Sequence, residues 1–558
     1  MPNNWTADDV ERYRDRVLSE RDGFLRDLAS PSATRQRVLE ELVSANAGTA
    51  FGLEHDFKNI HDWNDFRAAV PIRDYDALAP WIDRAAGGER GVLSADDPVV
   101  YFMSSGSTGD SKKIPITREF MRTGFFPPFY AAWAPFVEHY PEIVATDAST
   151  LNLKFDPVHR TATTKSGKPH LGASQVDFGT AFGEPLSAEP GSRAPWGELP
   201  VPVEDTDYLE KAYLRLRLAV EHDVRCVIGI NPAMVAAVPH QLGQWWPRIV
   251  RELRDGTLGG HPYGEPNPAR ADELERLARY FGTLLPAHVW PNFRLIFCWT
   301  TGLASLYLPH LAASFGPDVM ALPAPVAASE GFVAVGVDRH PVACSPALGA
   351  AVHEFADADT DLAADSTTMS FEELEVGREY HVVLSHVGGL YRYALGDVVR
   401  VVDRKHGMPR VCYAGRNTLS DVAGERLRES HVVRALRIAL DAGGLAVRNA
   451  TCRPVTPDDS ATPRYEFALS PQQNLGAAET SALASALDDA LRVLSADYEA
   501  ARATGRLGEP VLHVLTADAF AWDWQARVES GIRPAQVKDR VFQRDDVAWR
   551  RLLERTVH

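Results

Sequence analysis

The segment with the most suggestive chemistry is a short run of serine, glycine and lysine. It reads SSGSTGDSKKIP over residues 104–115 and follows the apolar run DPVVYFM. Its glycines allow the backbone to curl so that several N–H groups face one anion, and its hydroxyls add donors. Lys112 and Lys113 supply positive charge directly after the glycines. The spacing predicts a phosphate-holding loop, while a plain Ser/Gly surface turn would have the same composition.

The glycines of this loop do not follow the Walker pattern G-x-x-x-x-G-K-[ST], so an ordinary P-loop ATPase is not favoured. The chain also offers no convincing Ser-His-Asp set for nucleophilic catalysis.

The elements around the loop predict an α/β protein. Helical patterns fill the chain ahead of the loop, and a buried strand ends at Met103. The apolar runs 224–230, 293–299 and 318–322 alternate with helical patterns, which indicates a large domain with helix-covered, mostly parallel sheet. From about Glu379 the strands follow one another at short intervals, which indicates that the same domain carries an antiparallel β subdomain.

The last part of the chain has a different pattern. Helical, strand and helical segments occur in turn at 425–440, 464–469 and 482–503, followed by the strand-like PVLHVL. This order predicts a small α+β domain. We place the boundary near 415–419, which gives a large domain over 1–417 and a small domain over 418–558.

Composition narrows the choice of partners and compartment. The chain carries 58 lysine and arginine residues against 75 aspartate and glutamate residues, a formal net charge of −17, which argues against a general binder of nucleic acid or membrane surfaces. It has no run of about 18 apolar residues, and its polar start lacks a signal-peptide core, so we expect a cytoplasmic protein. We expect it to be a monomer or dimer. The five widely spaced cysteines form no C-x-x-C pair.

Three motifs, in order along the chain, resemble those of one enzyme family. SSGSTGDSKKIP resembles the signature S-S-G-T-S/T-G-x-x-K-x-x-P of the Gretchen Hagen family of acyl acid amido synthetases, which are firefly-luciferase-like adenylate-forming enzymes. AASEGF (327–332) resembles the family's Y-A-S-S-E block, and GLYRYALGDVVRVV (389–402) closely resembles its G-L-Y-R-Y-R-x-G-D-V block. The resemblance extends over nearly the whole chain, including QVKDR (536–540).

The resemblance implies ATP and Mg²⁺ as cofactors and assigns most of the candidate site. It also makes 1–417 the adenylation domain and 418–558 a mobile lid domain. Lys538 and Glu330 would be catalytic, and Glu330 would also hold the metal ion. The residues that would hold the β- and γ-phosphates are Ser104, Ser105, Ser107, Thr108 and Lys112. The other nucleotide contacts would come from Thr301, Gly302, Ser329, Asp397 and Arg416. Asp397 would bind both ribose hydroxyls, because a carboxylate offers two acceptor oxygens.

The residues that would bind the acid are less clearly marked. Val326 stands in place of the family's tyrosine and Ala328 in place of a serine, so we expect a reshaped adenine or acid pocket. Arg122, shortly after the loop, is a candidate partner for the acid's carboxylate, although a solvated arginine is the simpler interpretation. The aromatic stretch FFPPFYAAW (125–133) would either line an apolar pocket or belong to the core.

The reaction implied by the resemblance has two steps. A small-molecule carboxylic acid reacts with ATP to give an acyl-adenylate and pyrophosphate, and the acyl group then passes to an amine such as an amino acid. An acyl-CoA ligase, which would form a thioester instead, is the first alternative, and a non-catalytic ligand-binding homologue is the second. The joint presence of Glu330, Asp397, Arg416 and Lys538 argues against the second alternative.

Overall fold

The structure, a computed structural model, describes residues 6–105, 111–154, 162–184, 190–191, 194–456 and 462–557. Its α-helices are, in chain order, α1 (Ala7–Ala29), α2 (Pro31–Asn46), α3 (Ala50–Glu54), α4 (Trp63–Ala69), α5 (Tyr75–Ala86), α6 (Arg118–Phe120), α7 (Phe126–Ala131), α8 (Ala134–His139), α9 (Pro141–Val144), α10 (Phe178–Phe182), α11 (Tyr208–Ala219), α12 (Pro232–Asp255), α13 (Pro268–Phe281), α14 (Pro286–Val289), α15 (Ala304–Phe315), α16 (Glu429–Ala442), α17 (Ala477–Leu494), α18 (Ala496–Ala503), α19 (Ala519–Glu529) and α20 (Asp546–Leu553). A π-helical turn, Met121–Phe125, joins α6 to α7.

The β-strands are short except in the antiparallel part of the large domain. In chain order they are β1 (Val100–Ser105), β2 (Ser111–Ile116), β3 (Thr150–Asn152), β4 (Ala162–Thr163), β5 (Pro169–Leu171), β6 (Cys226–Ile228), β7 (Thr257–Leu258), β8 (His261–Pro262), β9 (Leu295–Cys298), β10 (Met320–Pro323), β11 (Val326–Ala328), β12 (Gly331–Val335), β13 (Ser345–Pro346), β14 (Val352–Asp357), β15 (Glu379–His386), β16 (Leu390–Lys405), β17 (Met408–Arg416), β18 (Val447–Val455), β19 (Arg464–Pro471) and β20 (Val511–Val514). The α/β class predicted from the sequence is confirmed.

The predicted helices ahead of the loop are present, and α1 shows how the sequence starts one. The Thr6 hydroxyl accepts a hydrogen bond from the Asp9 backbone N–H at 3.2 Å, and the Asp9 carboxylate accepts one from the Thr6 backbone N–H at 3.0 Å. This reciprocal pair satisfies donors that a helix N-terminus otherwise leaves unpaired. Further along α1, Tyr13, Val17 and Phe24 are buried, so this face of the helix belongs to the core.

A parallel sheet with the strand order β10-β9-β6-β3 forms the centre of the large domain. Its strands β6, β9 and β10 correspond to the three apolar runs predicted as buried strands, and the helices α12 and α15 follow β6 and β9. Ligands of open α/β sheets bind beyond the carboxyl ends of parallel strands. The turns that follow β6, β9 and β10 are therefore placed to form a site.

The predicted phosphate loop connects the two strands of an antiparallel hairpin. Strand β1 pairs with β2 from Val100 opposite Ile116 to Ser105 opposite Ser111, and β1 also pairs in parallel with β5. The loop therefore lies between two strands and does not lead directly into a helix. Any phosphate held there would be bound by loop N–H groups and side chains rather than by a helix dipole.

The predicted antiparallel subdomain is a sheet with the order β14-β15-β16-β17. The two strands expected from LYRYAL and DVVRVV form one long strand, β16, whose register shifts at its middle. Val383 of β15 pairs with Ala394, whereas His381, two residues earlier, pairs with Val398, four residues later. Gly396, in the shifted part of β16, has φ of +79°, a value that glycine adopts without strain. The irregularity lies directly beside Asp397.

The small domain contains the sheet β18-β19-β20 and the helices α16 and α17. One apolar cluster of its buried side chains, with members between Leu427 and Phe542, also includes Leu303 and Leu306 of the large domain. The expected boundary between residues 417 and 418 stays a prediction; strand β17 ends just before it, at Arg416.

All five cysteines are buried and unbridged. Burial raises the pKa of the Cys344 thiol to about 12, which keeps it protonated and unreactive near neutral pH. Among the helices in the described ranges, none combines the length and the apolar character needed to cross a membrane.

Candidate active site

The predicted phosphate contacts are described only in part. Ser107 and Thr108 lie outside the described residues, and for Ser104 and Ser105 only the backbone, in β1, is described. Lys112 lies on β2, where it is half-buried. Its ammonium group donates a hydrogen bond to the Tyr393 hydroxyl at 3.3 Å and lies 5.2 Å from the centre of the Tyr75 ring. Lys112 therefore points from the hairpin toward strand β16.

Glu330 lies between β11 and β12 and is only 4% exposed. Its carboxylate accepts a hydrogen bond from the Tyr393 hydroxyl at 3.1 Å, and its backbone carbonyl lies 3.0 Å from His386 Nε2. Burial raises the pKa of the Glu330 carboxyl, while the positive charge of Lys112 opposes that rise. Tyr393 and His386 thus hold Glu330 from two sides, and the charge of Lys112 acts on the Glu330 carboxylate.

Asp397 and Arg416 face each other on the paired strands β16 and β17. Asp397 Oδ1 lies 3.2 Å from Arg416 Nε, yet it accepts no hydrogen bond of good geometry from the part of the chain that the structure describes. Burial raises the pKa of the Asp397 carboxyl, and the charges of Arg416, Lys538 and Lys112 oppose that rise. A buried carboxylate oxygen without a bonded donor is a ready acceptor for a ligand hydroxyl.

Lys538 reaches this region from the carboxyl-terminal part of the chain. Its ammonium group lies 5.0 Å from the centre of the Trp299 ring, at the end of strand β9. Solvent reaches the side chain, but the surrounding protein still desolvates it and lowers its pKa, and the charge of Arg416 lowers the pKa further. The charge of Asp397 acts in the opposite direction. Lys538 therefore belongs electrostatically to the same cluster.

The structure brings together five of the residues that the resemblance assigned: Lys112, Glu330, Asp397, Arg416 and Lys538. They come from five separate segments. The charge of Lys112 acts to lower the pKa of both carboxyl groups, and the charges of Arg416 and Lys538 act to lower that of Asp397. Three cations surround two buried carboxylates. This donor set fits a nucleoside triphosphate, because the cations can meet phosphates, and it fits Mg²⁺, because the metal prefers carboxylate oxygen.

The other predicted nucleotide and substrate residues lie on the turns beside this cluster. Thr301, Gly302 and Ser329 are half-buried, and Gly302 has φ of +62° in the turn between β9 and α15. Ala328 is half-buried and Val326 is buried, both on strand β11. These positions border the end of the sheet at which Trp299 and Glu330 lie.

Arg122, the predicted partner of the acid's carboxylate, lies outside this cluster and points to solvent. Its side chain is 71% exposed and forms an ion pair with Glu119 on the preceding turn, at 2.6 Å. The nearby aromatic stretch is buried in the core: the ring of Phe125 lies 5.8 Å from that of Phe129 and 5.2 Å from that of Phe332, between ring centres. Phe332 lies on β12, which begins directly after Glu330, so this aromatic group forms an apolar wall of the core behind that turn.

Two residues of the site escaped the sequence reasoning. Tyr393 links Lys112 to Glu330, and the ring of Trp299 lies under the Lys538 ammonium group. Tyr393 precedes Asp397 by four residues within the same motif, GLYRYALGDVVRVV, so the motif itself was a usable signal. No comparable signal pointed to Trp299, because its partner is distant in sequence.

Comparison with known proteins decides the family. The GH3 family N-terminal domain matches residues 21–320, the GH3 family central domain matches residues 347–416, and the GH3 family C-terminal domain matches residues 430–546. The chain belongs to the GH3 family. The family resemblance inferred from the three motifs is thus confirmed, and in this GH3 protein the motif residues Lys112, Glu330 and Asp397 lie in the cluster described above.

Relatives of this GH3 chain carry names of amido synthetases. It is 27% identical over 445 residues to the probable indole-3-acetic acid-amido synthetase GH3.12 of Oryza sativa subsp. japonica, covering 71% of each chain. It is 24% identical over 412 residues to the jasmonoyl–L-amino acid synthetase JAR4 of Nicotiana attenuata, covering 69% of each chain.

Solved structures share the fold. The AtGH3.15 acyl acid amido synthetase in complex with 2,4-DB superposes with a TM-score of 0.80 at 19% identity, over 98% of this GH3 chain and 96% of that chain. A 2-hydroxyisobutyryl-CoA ligase in the postadenylation state superposes with a TM-score of 0.52 at 12% identity, over 94% and 92% of the two chains. At these identities the likeness concerns the fold.

Proposed function

We propose that this GH3 protein uses ATP to activate a carboxylic acid as an acyl-adenylate and then transfers the acyl group to an amine, forming an amide. The observation that carries the proposal is the cluster of Lys112, Arg416 and Lys538 around the buried carboxylates of Glu330 and Asp397. ATP brings several negative charges that three cations can balance, and its ribose brings hydroxyls that need an acceptor.

The phosphate and metal roles follow from charge and position. Lys112, on the strand that follows the hairpin loop, would bind the β- and γ-phosphates together with Ser104, Ser105, Ser107 and Thr108. Glu330 would hold Mg²⁺, which offsets phosphate charge when it is bound. The hydrogen bond from Tyr393 and the contact with His386 keep the Glu330 carboxylate in place for that role.

The nucleoside roles follow from the open acceptor of Asp397. Its Oδ1 has no well-formed hydrogen bond from the described protein groups, so the ribose hydroxyls would supply the missing donors. Arg416 would lie between this ribose and the α-phosphate, because its guanidinium is already 3.2 Å from Asp397. Thr301, Gly302 and Ser329 would line the adenine from the neighbouring turns.

The first step is displacement at the α-phosphorus. A carboxylate oxygen of the acid forms the new bond, the bond to the β-phosphate oxygen breaks, and pyrophosphate leaves. Negative charge grows on the α-phosphate oxygens during this exchange, and the Lys538 ammonium group would stabilise it. In the second step an amine nitrogen bonds to the acyl carbon, AMP leaves with the electron pair, and the nitrogen loses a proton.

The substrates are a small apolar carboxylic acid and an amino acid. The relatives whose names mention indole-3-acetic acid or jasmonoyl-L-amino acid support this choice. The aromatic wall around Phe125 and Phe332 favours an acid with an apolar body, and Val326 and Ala328 would shape its pocket. The protein would act in the cytoplasm, as a monomer or dimer.

The test is a panel of indolyl, aryl, fatty and amino acids incubated with ATP and Mg²⁺, with pyrophosphate release as the readout. We expect release with a subset of apolar acids, and mass spectrometry with added amino acids should then detect an amide of the active acid. A thioester formed with coenzyme A, and no amide with any amine, would favour the acyl-CoA ligase instead. ATP binding without pyrophosphate from any acid would contradict the proposal.

A further inference from the structure

The two residues that flank Lys538, Val537 and Asp539, are hydrogen-bonded to other parts of the protein. The backbone carbonyl of Val537 accepts a hydrogen bond from the side-chain amide of Asn231 at 2.6 Å. The Asp539 carboxylate accepts one from the Tyr307 hydroxyl at 2.6 Å and one from the Asn449 amide at 2.8 Å. Lys538 therefore lies between two anchored residues.

These anchors are rigid on the large-domain side. Asn231 is 2% exposed and begins helix α12, where its amide oxygen accepts a hydrogen bond from the Ala233 backbone N–H at 3.1 Å. That bond fixes the orientation of the amide, so its nitrogen is the group that donates to Val537. Tyr307 is 2% exposed within helix α15, so its hydroxyl also has little freedom.

Asp539 connects the two domains. Tyr307 belongs to the large domain, whereas Asn449 lies on strand β18 of the small domain, and one carboxylate bonds both. Burial raises the pKa of the Asp539 carboxyl, while the hydrogen bonds from Tyr307 and Asn449 favour its ionised form. Asp539 is half-buried, and its two donors come from the two domains that it joins.

We propose that Asn231, Tyr307 and Asp539 act as positioning residues that hold Lys538 in the orientation needed for acyl-adenylate formation. The inference rests on the proposed function. A lysine has a long, flexible side chain. Its ammonium group therefore stays close to a particular phosphate only when the backbone at the lysine is held in place. The three residues fix that backbone on both sides, while touching none of the groups assigned to substrate.

The inference predicts an effect confined to one half of the reaction. Tyr307→Phe removes a single hydroxyl and leaves the ring in place. We expect it to lower the rate of acyl-adenylate formation by about 10- to 100-fold, because small misplacements of a charge-stabilising group have effects of this size. Amide formation from a supplied acyl-adenylate and an amine should stay within about twofold of the parent rate.

Tyr498→Phe is the matched control. The Tyr498 hydroxyl also donates to a buried carboxylate, Asp488, at 2.8 Å, but inside the small domain and away from Lys538. This variant should show any general cost of losing a buried Tyr–Asp hydrogen bond and should leave both half-reactions unchanged. Thermal unfolding of both variants separates lost stability from lost positioning.

Asp539→Asn gives a second variant that keeps the side-chain size. The same selective loss of the first half-reaction is expected, and the double variant with Tyr307→Phe should lose less than the two single losses combined, because both changes act on the hydrogen bond between Tyr307 and Asp539. Equal slowing of both half-reactions, additive losses, or an unchanged first half-reaction would overturn the inference. If the parent protein itself forms no acyl-adenylate with any acid, the proposed function fails instead.

Discussion

Replacing Lys538 with alanine lowers the rate of acyl-adenylate formation by about 100- to 1000-fold, the range seen when one preorganised donor is removed from a charge-developing centre. Its ammonium group lies over Trp299, and its charge acts on Asp397. The other lysine of the cluster, Lys112, is bonded to Tyr393 beside Glu330. Isotope exchange between pyrophosphate and ATP, with the active acid present, measures this step alone.

Lys58→Ala is the control for this experiment. Lys58 is an exposed lysine on a short turn in the amino-terminal part of the chain, so its removal changes net charge equally and should leave the exchange rate unchanged. If Lys538→Ala exchanges at the rate of Lys58→Ala, Lys538 has no role in the first step, and the site assignment based on the QVKDR segment is wrong.

Arg392→Met lowers the free energy of unfolding by about 3 to 5 kcal/mol, because it leaves the Glu354 carboxylate buried without its cation. Arg392 is 3% exposed and Glu354 is fully buried, and two hydrogen bonds of 2.9 Å join the guanidinium to the two carboxylate oxygens. Arg392 also donates to the Val70 carbonyl at 2.8 Å. The pair therefore ties strands β14 and β16 to the amino-terminal helices.

Arg426→Met is the matched control for that prediction. Arg426 also adopts a positive φ, +39° against +45° for Arg392, and also pairs with a carboxylate, Asp361, at 2.7 Å. Because that pair is exposed, its loss should leave the unfolding midpoint nearly unchanged. Urea unfolding followed by tryptophan fluorescence compares the two variants. Equal midpoints would show that the buried pair does not hold the large domain together.

Much of the fold was predictable from local sequence. The apolar runs that became β6, β9 and β10 are short, buried and followed by helical patterns, so their parallel arrangement followed from general rules. Strand β2 was missed, because its sequence SKKIPI mixes two lysines with a proline and has little strand character by itself. Pairing with β1 makes it a strand.

In the small domain the sequence did not reveal one helix boundary and one strand. The single helical pattern at 482–503 is two helices, α17 and α18, separated at Ser495, whose hydroxyl accepts a hydrogen bond from the Tyr498 backbone N–H at 3.2 Å. Serine favours such helix starts, but the surrounding alanines concealed it. Strand β18, VRNATCRPV, was not predicted either, because only its antiparallel pairing with β19 distinguishes it from a loop.

The site was predictable residue by residue only through its motifs. Lys112, Glu330, Asp397 and Lys538 stood in segments that resemble the family, and the structure gathers them together with Arg416. The contacts that hold the site join residues far apart in sequence, such as Asn231 with Val537, and no spacing rule reveals them. Arg122 followed the loop in sequence, yet it points to solvent and pairs with Glu119.

The central claim is that an acyl-adenylate forms, and transfer of isotope from the acid to AMP tests it most directly. The active acid is labelled with ¹⁸O at both carboxylate oxygens and incubated with ATP, Mg²⁺ and the amine, and the products are analysed by mass spectrometry. The account predicts one ¹⁸O atom in AMP for each amide formed, because the carboxylate oxygen bonded to the α-phosphorus leaves with AMP. Release of ADP, with the label in inorganic phosphate, would contradict it.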